Sequence, residues 1–338
     1  MNISKRITFV WLILFVLIAV FAGLVLLNSS SKKSQRIYRV GIVSGADTFA
    51  DIADGFKMQM AELGYVEGEN IFYDFHKLEA DPEGVERAVS KLVEDKVDMI
   101  FAFPTEPALA AKAAVEGTDI PVVFAMAGIE GNNLVESVSH PGGNVTGVRY
   151  PGPECTVKRL EILHELVPDA KRVYLIYNPN YPTVSMALGG LRPAASSLGI
   201  TLVEDPVNSI EEMKTALKRR APLEDIGIDA VLIMPDIINN SPEGFGAILG
   251  FANEHRVPIA GGMGFTTDLG AMFSFVPDNI EQGEMAAPIA DKIFKGAPAG
   301  SIMVLTPPPR LRLNYKVTQE LGLKLPEGLL SRADEIVR

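Results

Sequence analysis

The sequence predicts an α/β protein of two Rossmann-like lobes with parallel sheets, preceded by an N-terminal transmembrane or signal helix. Three observations predict it. A long apolar run opens the chain, short β-branched runs then alternate with amphipathic stretches, and that alternation restarts near the middle.

Lys5 and Arg6 precede an uninterrupted apolar stretch from Ile7 to Leu27, which breaks off at Asn28-Ser29-Ser30-Ser31-Lys32-Lys33. A bilayer span needs about 20 apolar residues, whereas the core of a cleaved signal peptide has about 7–15. Length therefore favours an uncleaved anchor, while Val20 and Ala22 leave a cleavage site open.

Tyr38–Ser44 reads as the first strand and Ala50–Leu63 as its helix, stopped at Gly64. Ile71–Phe75 is a second strand, and Asp81-Pro82 opens a helix with a capping acid and a first-turn proline. Val97–Phe101, the helix Glu106–Glu116 and the strand Pro121–Ala125 complete the first set. The second set runs Val157–Leu166 (helix), Arg172–Tyr177 (strand), Thr183–Leu198 (helix) and Ile200–Glu204 (strand). It continues with the helix Ser209–Arg220, the strand Ala230–Met234, the helix Glu243–His255 and the strand Pro258–Ala260. Two sets imply two lobes meeting at Pro151-Gly152-Pro153, with further crossings at Val276-Pro277-Asp278 and Pro307-Pro308-Pro309.

In open α/β sheets, ligands sit beyond the carboxyl ends of the strands. The residues to examine are therefore Ser44 and Gly45 after the first strand, Thr105 and Glu106 after the third, Asn178 opening the second lobe, and Asp236 after Ala230–Met234. The Thr105 hydroxyl and the amides behind it suit a carboxylate, and the same hydroxyl suits a helix cap. Glu106 either brings a cation to the cleft or is a solvated first-turn acid. Met263 and Phe265 either wall the cleft or pack in the core. Arg149 either pairs an anionic ligand or serves the hinge.

Composition removes several function classes. A formal net charge of −11, with Lys5 and Arg6 as the only charges before Asn28, argues against nucleic acid as a partner. Cys155 is the single cysteine, so no disulfide or thiolate cluster forms within the chain. The four histidines lack metal-ligand spacing, and the chain has no Walker sequence, no Gly-x-Ser-x-Gly elbow and no dinucleotide fingerprint. The expectation is a binding protein without cofactor or metal, not an enzyme.

The chain resembles a recognisable family in several short stretches. They are Glu62-Leu63-Gly64-Tyr65-Val66-Glu67-Gly68, Pro141-Gly142-Gly143-Asn144-Val145-Thr146-Gly147-Val148, Leu166-Val167-Pro168 with Tyr177-Asn178-Pro179, and Ser331-Arg332-Ala333-Asp334-Glu335. Together they are similar to ABC-type substrate-binding proteins of the periplasmic-binding-protein type I fold, whose better-known branch binds tryptophan and related aromatic amino acids. The resemblance runs from Arg39 to the C-terminus.

The apolar run marks residues 1–37 as membrane anchor or signal segment and linker, and the resemblance implies 38–150 with 277–306 as one lobe and 151–276 with 307–338 as the other. It further implies an extracytoplasmic receptor that binds a small molecule by hinge closure and passes it to an ABC permease and its ATPase. A ligand sensor working through a separate membrane partner is the alternative. Asp236 and Asp278 match aspartates that lie at the ligand ammonium in the amino-acid-binding branch. Two departures stand out: Thr105-Glu106-Pro107 where the family has Thr-Pro-Ala, and Tyr181, Thr183 and Val184 where the aromatic branch has a Glu and an Asn-Ser pair.

Overall fold

The computed structural model describes residues 36–78 and 81–338. The apolar run from Ile7 to Leu27 lies outside the described residues, and among those described no helix is long and apolar enough to cross a membrane.

Strand β1 (Tyr38–Ser44) is buried from Val40 onward on both faces, as a continuous apolar run in a parallel sheet should be. It lies between β2 (Ile71–Lys77) and β3 (Met99–Phe103), and β4 (Val122–Ala127) and β5 (Val145–Arg149) extend the sheet in the order β2-β1-β3-β4-β5, all parallel. The last strand was not expected from the sequence, because Val145-Thr146-Gly147-Val148 reads as a turn motif. Gly147 explains its own presence there: a Cβ would lie 2.1 Å from the Phe124 carbonyl oxygen, so only glycine lets β5 approach β4.

Three helices from the first set pack on this sheet. Helix α1 (Asp51–Glu62) places Asp51 and Asp54 in its first turn, where the helix dipole favours them. Helix α2 (Pro82–Glu94) is capped by Asp81, whose carboxylate accepts from the Gly84 amide at 2.9 Å. Helix α3 (Thr105–Ala114) follows β3 after the single residue Pro104.

In the second lobe, helix α4 (Gly152–Leu166) starts five residues before the expected Val157, with Pro153 tolerated in its first turn. The sheet is built from β6 (Arg172–Tyr177), β7 (Thr201–Pro206), β8 (Ala230–Leu232), β9 (Ile259–Gly261), β10 (Phe273–Pro277), β11 (Pro309–Asn314) and β12 (Glu335–Val337). Their order is β12-β11-β10-β9-β8-β6-β7. This sheet is not wholly parallel, because β11 runs antiparallel to β10. The chain leaves after β10, passes through the other lobe and returns from the opposite end.

That excursion includes α10 (Asn279–Phe294), which lies against α1 with backbone touching backbone. A Cβ on Gly55 would meet the Ile280 carbonyl oxygen at 2.1 Å, and one on Gly283 would meet that of Ile52 at 2.0 Å. Leu305 then bonds to Gly147 and Arg149 at the sheet edge before the chain crosses to β11.

Both sheets carry their first strand inside the order second-first-third, so each has a switch point where successive connections leave to opposite faces. In the first lobe it lies between β1 and β3, in the second between β6 and β8. The two crevices face one another.

Candidate functional site

The loops after β1, β3, β6 and β8 close around a cavity of about 30 Å³. From the first lobe come Phe49, Thr105, Met126 and Tyr150; from the second come Tyr181, Asp236, Asn240 and Met263. Met263 is carried by the second lobe but packs into the apolar cluster of the first, together with Phe49, Met126 and Tyr150.

Asp236 is the N-cap of the short helix α7 (Ile237–Asn240) and is only 2% exposed. One carboxylate oxygen accepts from the Asn239 amide at 3.0 Å and the other from Asn239 Nδ2 at 2.6 Å. Burial raises its pKa to about 7, against the opposing hydrogen bonds from Asn239 and from the amides of Asn178 and Ile238. No lysine, arginine or histidine among the described residues bonds to it. Beside it, Asn240 spends its amide nitrogen on the carbonyls of Met234 and Asp236, both at 2.9 Å, while its buried Oδ1 has no protein partner. Gly262 makes room for that oxygen, since a Cβ there would lie 2.4 Å from it.

The opposite wall is satisfied from within. Thr105 Oγ1 accepts from the Gly128 amide at 3.0 Å. Tyr181 reaches across from the second lobe and donates its hydroxyl to Glu106 Oε2 at 2.7 Å. Burial raises the pKa of Glu106, while that bond and its own backbone amide hold it down. Burial and then the neighbouring Glu106 push the Tyr181 phenol well above its ordinary range.

Of the residues singled out in the sequence, Thr105, Asp236 and Met263 line this cavity, and Glu106 stands directly behind Tyr181. Ser44 is fully buried and donates to the Ala46 carbonyl at 2.9 Å, and Gly45 sits against the rings of Pro104 and Pro107; both shape the loop without lining the space. Asn178 accepts from the Asn180 amide at 3.0 Å and so forms the turn that brings Tyr181 inward. Asp278 lies elsewhere: it is exposed, caps α10 through the Glu281 amide at 2.9 Å and lines a separate groove with Arg310. Arg149 pairs with Glu130 and Glu154, which leaves it no free charge for a ligand. Phe49, Met126, Tyr150, Tyr181 and Asn240 were not predicted as cavity residues.

Two further buried groups lie near the cavity without lining it. Arg159 is fully buried, its guanidinium donating to the carbonyls of Ile233 and Gly261 at 2.9 and 2.8 Å. The thiol of Cys155 is pushed up to about 12 by burial, so it is a poor nucleophile. Among the described residues no cluster of three acidic, histidine or cysteine side chains has metal-binding geometry.

A family model described as ABC transporter substrate binding protein matches residues 39–337. The chain belongs to that family. As a member it is a substrate-binding protein and not an enzyme. This ABC substrate-binding protein is 29% identical over 257 residues to the "Tyrosine-binding protein" of Clostridioides difficile (strain R20291), spanning 75% of the chain and 70% of that relative. Among solved structures it is similar to an ABC domain in complex with L-Trp from Streptococcus pneumonia, with a TM-score of 0.81 and 24% identity over 89% of the chain and all of that structure. A ligand-free, open substrate binding protein with adhesive properties from Clostridium difficile gives a TM-score of 0.67 at 23% identity, covering 89% of this chain and 99% of that one. These likenesses agree with the two-lobed architecture of the substrate-binding protein seen here.

Proposed function

We propose that this chain is the extracytoplasmic solute receptor of an ABC importer, held at the membrane by Ile7–Leu27, and that its interlobe cleft takes a small solute bearing a protonated amine. One observation carries the ligand class. Asp236 is a buried carboxylate at a strand-end switch point with no cation of the protein beside it, and a ligand ammonium would supply the missing partner.

Apolar and aromatic side chains surround that acid, as small-molecule sites require. The space between the two walls is narrow, about 30 Å³, so the walls separate to admit a solute of amino-acid size. The Tyr181–Glu106 bond joins the lobes in the closed arrangement and breaks on opening. A solute that touches both walls then favours closure in proportion to its preference for the closed form. The overlay supports a closed state: at nearly equal identity it is better with the L-Trp complex than with the ligand-free, open relative. The relatives' tyrosine and tryptophan make amino acids and amines of that size the first candidates.

The test is a thermal-shift screen of the full chain in detergent against amino acids, amines, sugars, nucleosides and small acids. Binding only to the folded state raises stability by roughly 2.7 kcal/mol at 100-fold excess over Kd. A shift confined to amine-bearing solutes is expected, and a shift confined to sugars or acids would overturn the assignment. Co-purification with a permease separates import from sensing.

A further inference from the structure

A carboxylate of the protein, Glu106, stands behind the first-lobe wall of the cavity, where it takes the Tyr181 hydroxyl. Helix α3 begins at Thr105, beside the cavity, and its N-terminus is the anion-attracting feature of that wall. Its donors are few. Pro107 has no N–H, and the Ala108 amide closes onto the Pro104 carbonyl at 3.3 Å. The Glu106 carboxylate, in the first turn of that helix, takes the Tyr181 hydroxyl. What is left are the amides of Thr105 and Glu106 and the Thr105 hydroxyl, which accepts from Gly128 and keeps its own proton.

Charge tells the same story. No lysine, arginine or histidine lines the cavity. Arg149 is neutralised by two glutamates, and Arg159 is turned into the strand-end carbonyls. The opposite wall presents the Asp236 carboxylate and the unpartnered, 96% buried Asn240 Oδ1, both acceptors. A zwitterion would therefore find a seat for its ammonium group and a negative neighbour for its carboxylate. Bringing that carboxylate into a low-dielectric cleft near Glu106 is repulsive, and no side-chain cation lines the cavity to offset it.

On the reading of the cleft as a solute site, we infer that this receptor selects organic amines lacking an α-carboxylate, with the Glu106 carboxyl group standing in for the one the ligand lacks. Glu106 sets specificity through Tyr181 and the start of α3, and Asp236 with Asn240 holds the ammonium group.

Isothermal titration of the full chain in detergent against matched pairs tests this: tyramine and tyrosine, tryptamine and tryptophan, isobutylamine and valine. At least one amine is expected to bind about tenfold or more tightly than its amino acid. Glu106→Ala, which removes the charge, should lower that ratio at least tenfold. Glu106→Gln keeps the shape and the hydrogen-bonding oxygen, and should lower the ratio in the same direction if the alanine variant fails to fold. Amino acids binding as tightly as their amines, or a ratio unmoved in both variants, would overturn the inference and leave the solute-receptor assignment standing. Binding of some other solute with no response to any pair has the same meaning. A chain that binds nothing in the wider screen sinks both.

Discussion

The two walls of the cleft are made of the same parts, a strand end followed by a helix start carrying an acid, yet they are finished differently. On the first lobe the Glu106 carboxylate accepts the hydroxyl of Tyr181, so it has a partner inside the protein. On the second lobe Asp236 has only amide donors and Asn240 keeps a bare oxygen. A buried acceptor that is satisfied holds structure together. One that is not is an invitation to a ligand.

The largest effect should come from removing the charge on the unsatisfied wall. Asp236→Asn keeps an oxygen to cap α7 and should weaken amine binding by about 10- to 100-fold, the worth of a charged hydrogen bond, without lowering the melting temperature of the ligand-free protein. Titration calorimetry and a thermal melt check both parts. Unchanged affinity would remove Asp236 from the site.

Next in size is the response to pH. Asp236 titrates at about 7 in the fold against an ordinary 3.8. Its folded value is raised, so in the ligand-free protein its contribution to stability is fully present below about 4 and is lost as pH rises through about 7. A bound ammonium needs the carboxylate instead, with the Tyr181 phenol and Glu106 as the facing titratable groups. The melting-temperature gain on adding an amine should therefore be larger at pH 8 than at pH 5.5. A gain that is equal, or larger at pH 5.5, would mean that ligand binding does not use the ionised acid.

The satisfied wall should respond more mildly. Tyr181→Phe removes the hydroxyl that joins the lobes and leaves Glu106 with one donor fewer. Affinity should fall about five- to tenfold, with a larger radius of gyration in the presence of ligand by small-angle scattering. A variant that closes as fully as the parent would show that Met263 and its apolar neighbours suffice. The smallest effect is expected at Asp278, which caps α10 away from the cavity. Asp278→Ala should cost about 1 kcal/mol of stability, the usual worth of a cap, with ligand affinity unchanged.

Much of the scaffold was legible because local rules govern it. Asp81-Pro82 and Ser209 mark helix starts by capping chemistry, and Gly64, Gly117 and Gly199 close turns at positive φ. Strands β1, β3, β6 and β8 are short apolar runs, and the rule that ligands gather at their carboxyl ends picks out Thr105 and Asp236. Strand β5 was missed because its glycine, there to admit a neighbouring strand, reads locally as a turn. Asp278 was drawn in by its resemblance to a ligand-binding aspartate, and nothing local reveals that it faces solvent.

What the sequence determined by itself was the alternation of elements, the two lobes and the acids at their strand ends, since periodicity, caps and turns act over a few residues. What only the tertiary structure decided was which of those acids is already paired. Tyr181 and Glu106 are 75 residues apart in sequence and meet across the two lobes. Asn240 Oδ1 is left without a protein partner in a place that only the missing side chain of Gly262 leaves open. Pairing of buried polar groups depends on distance in space, and no local pattern along the chain encodes it.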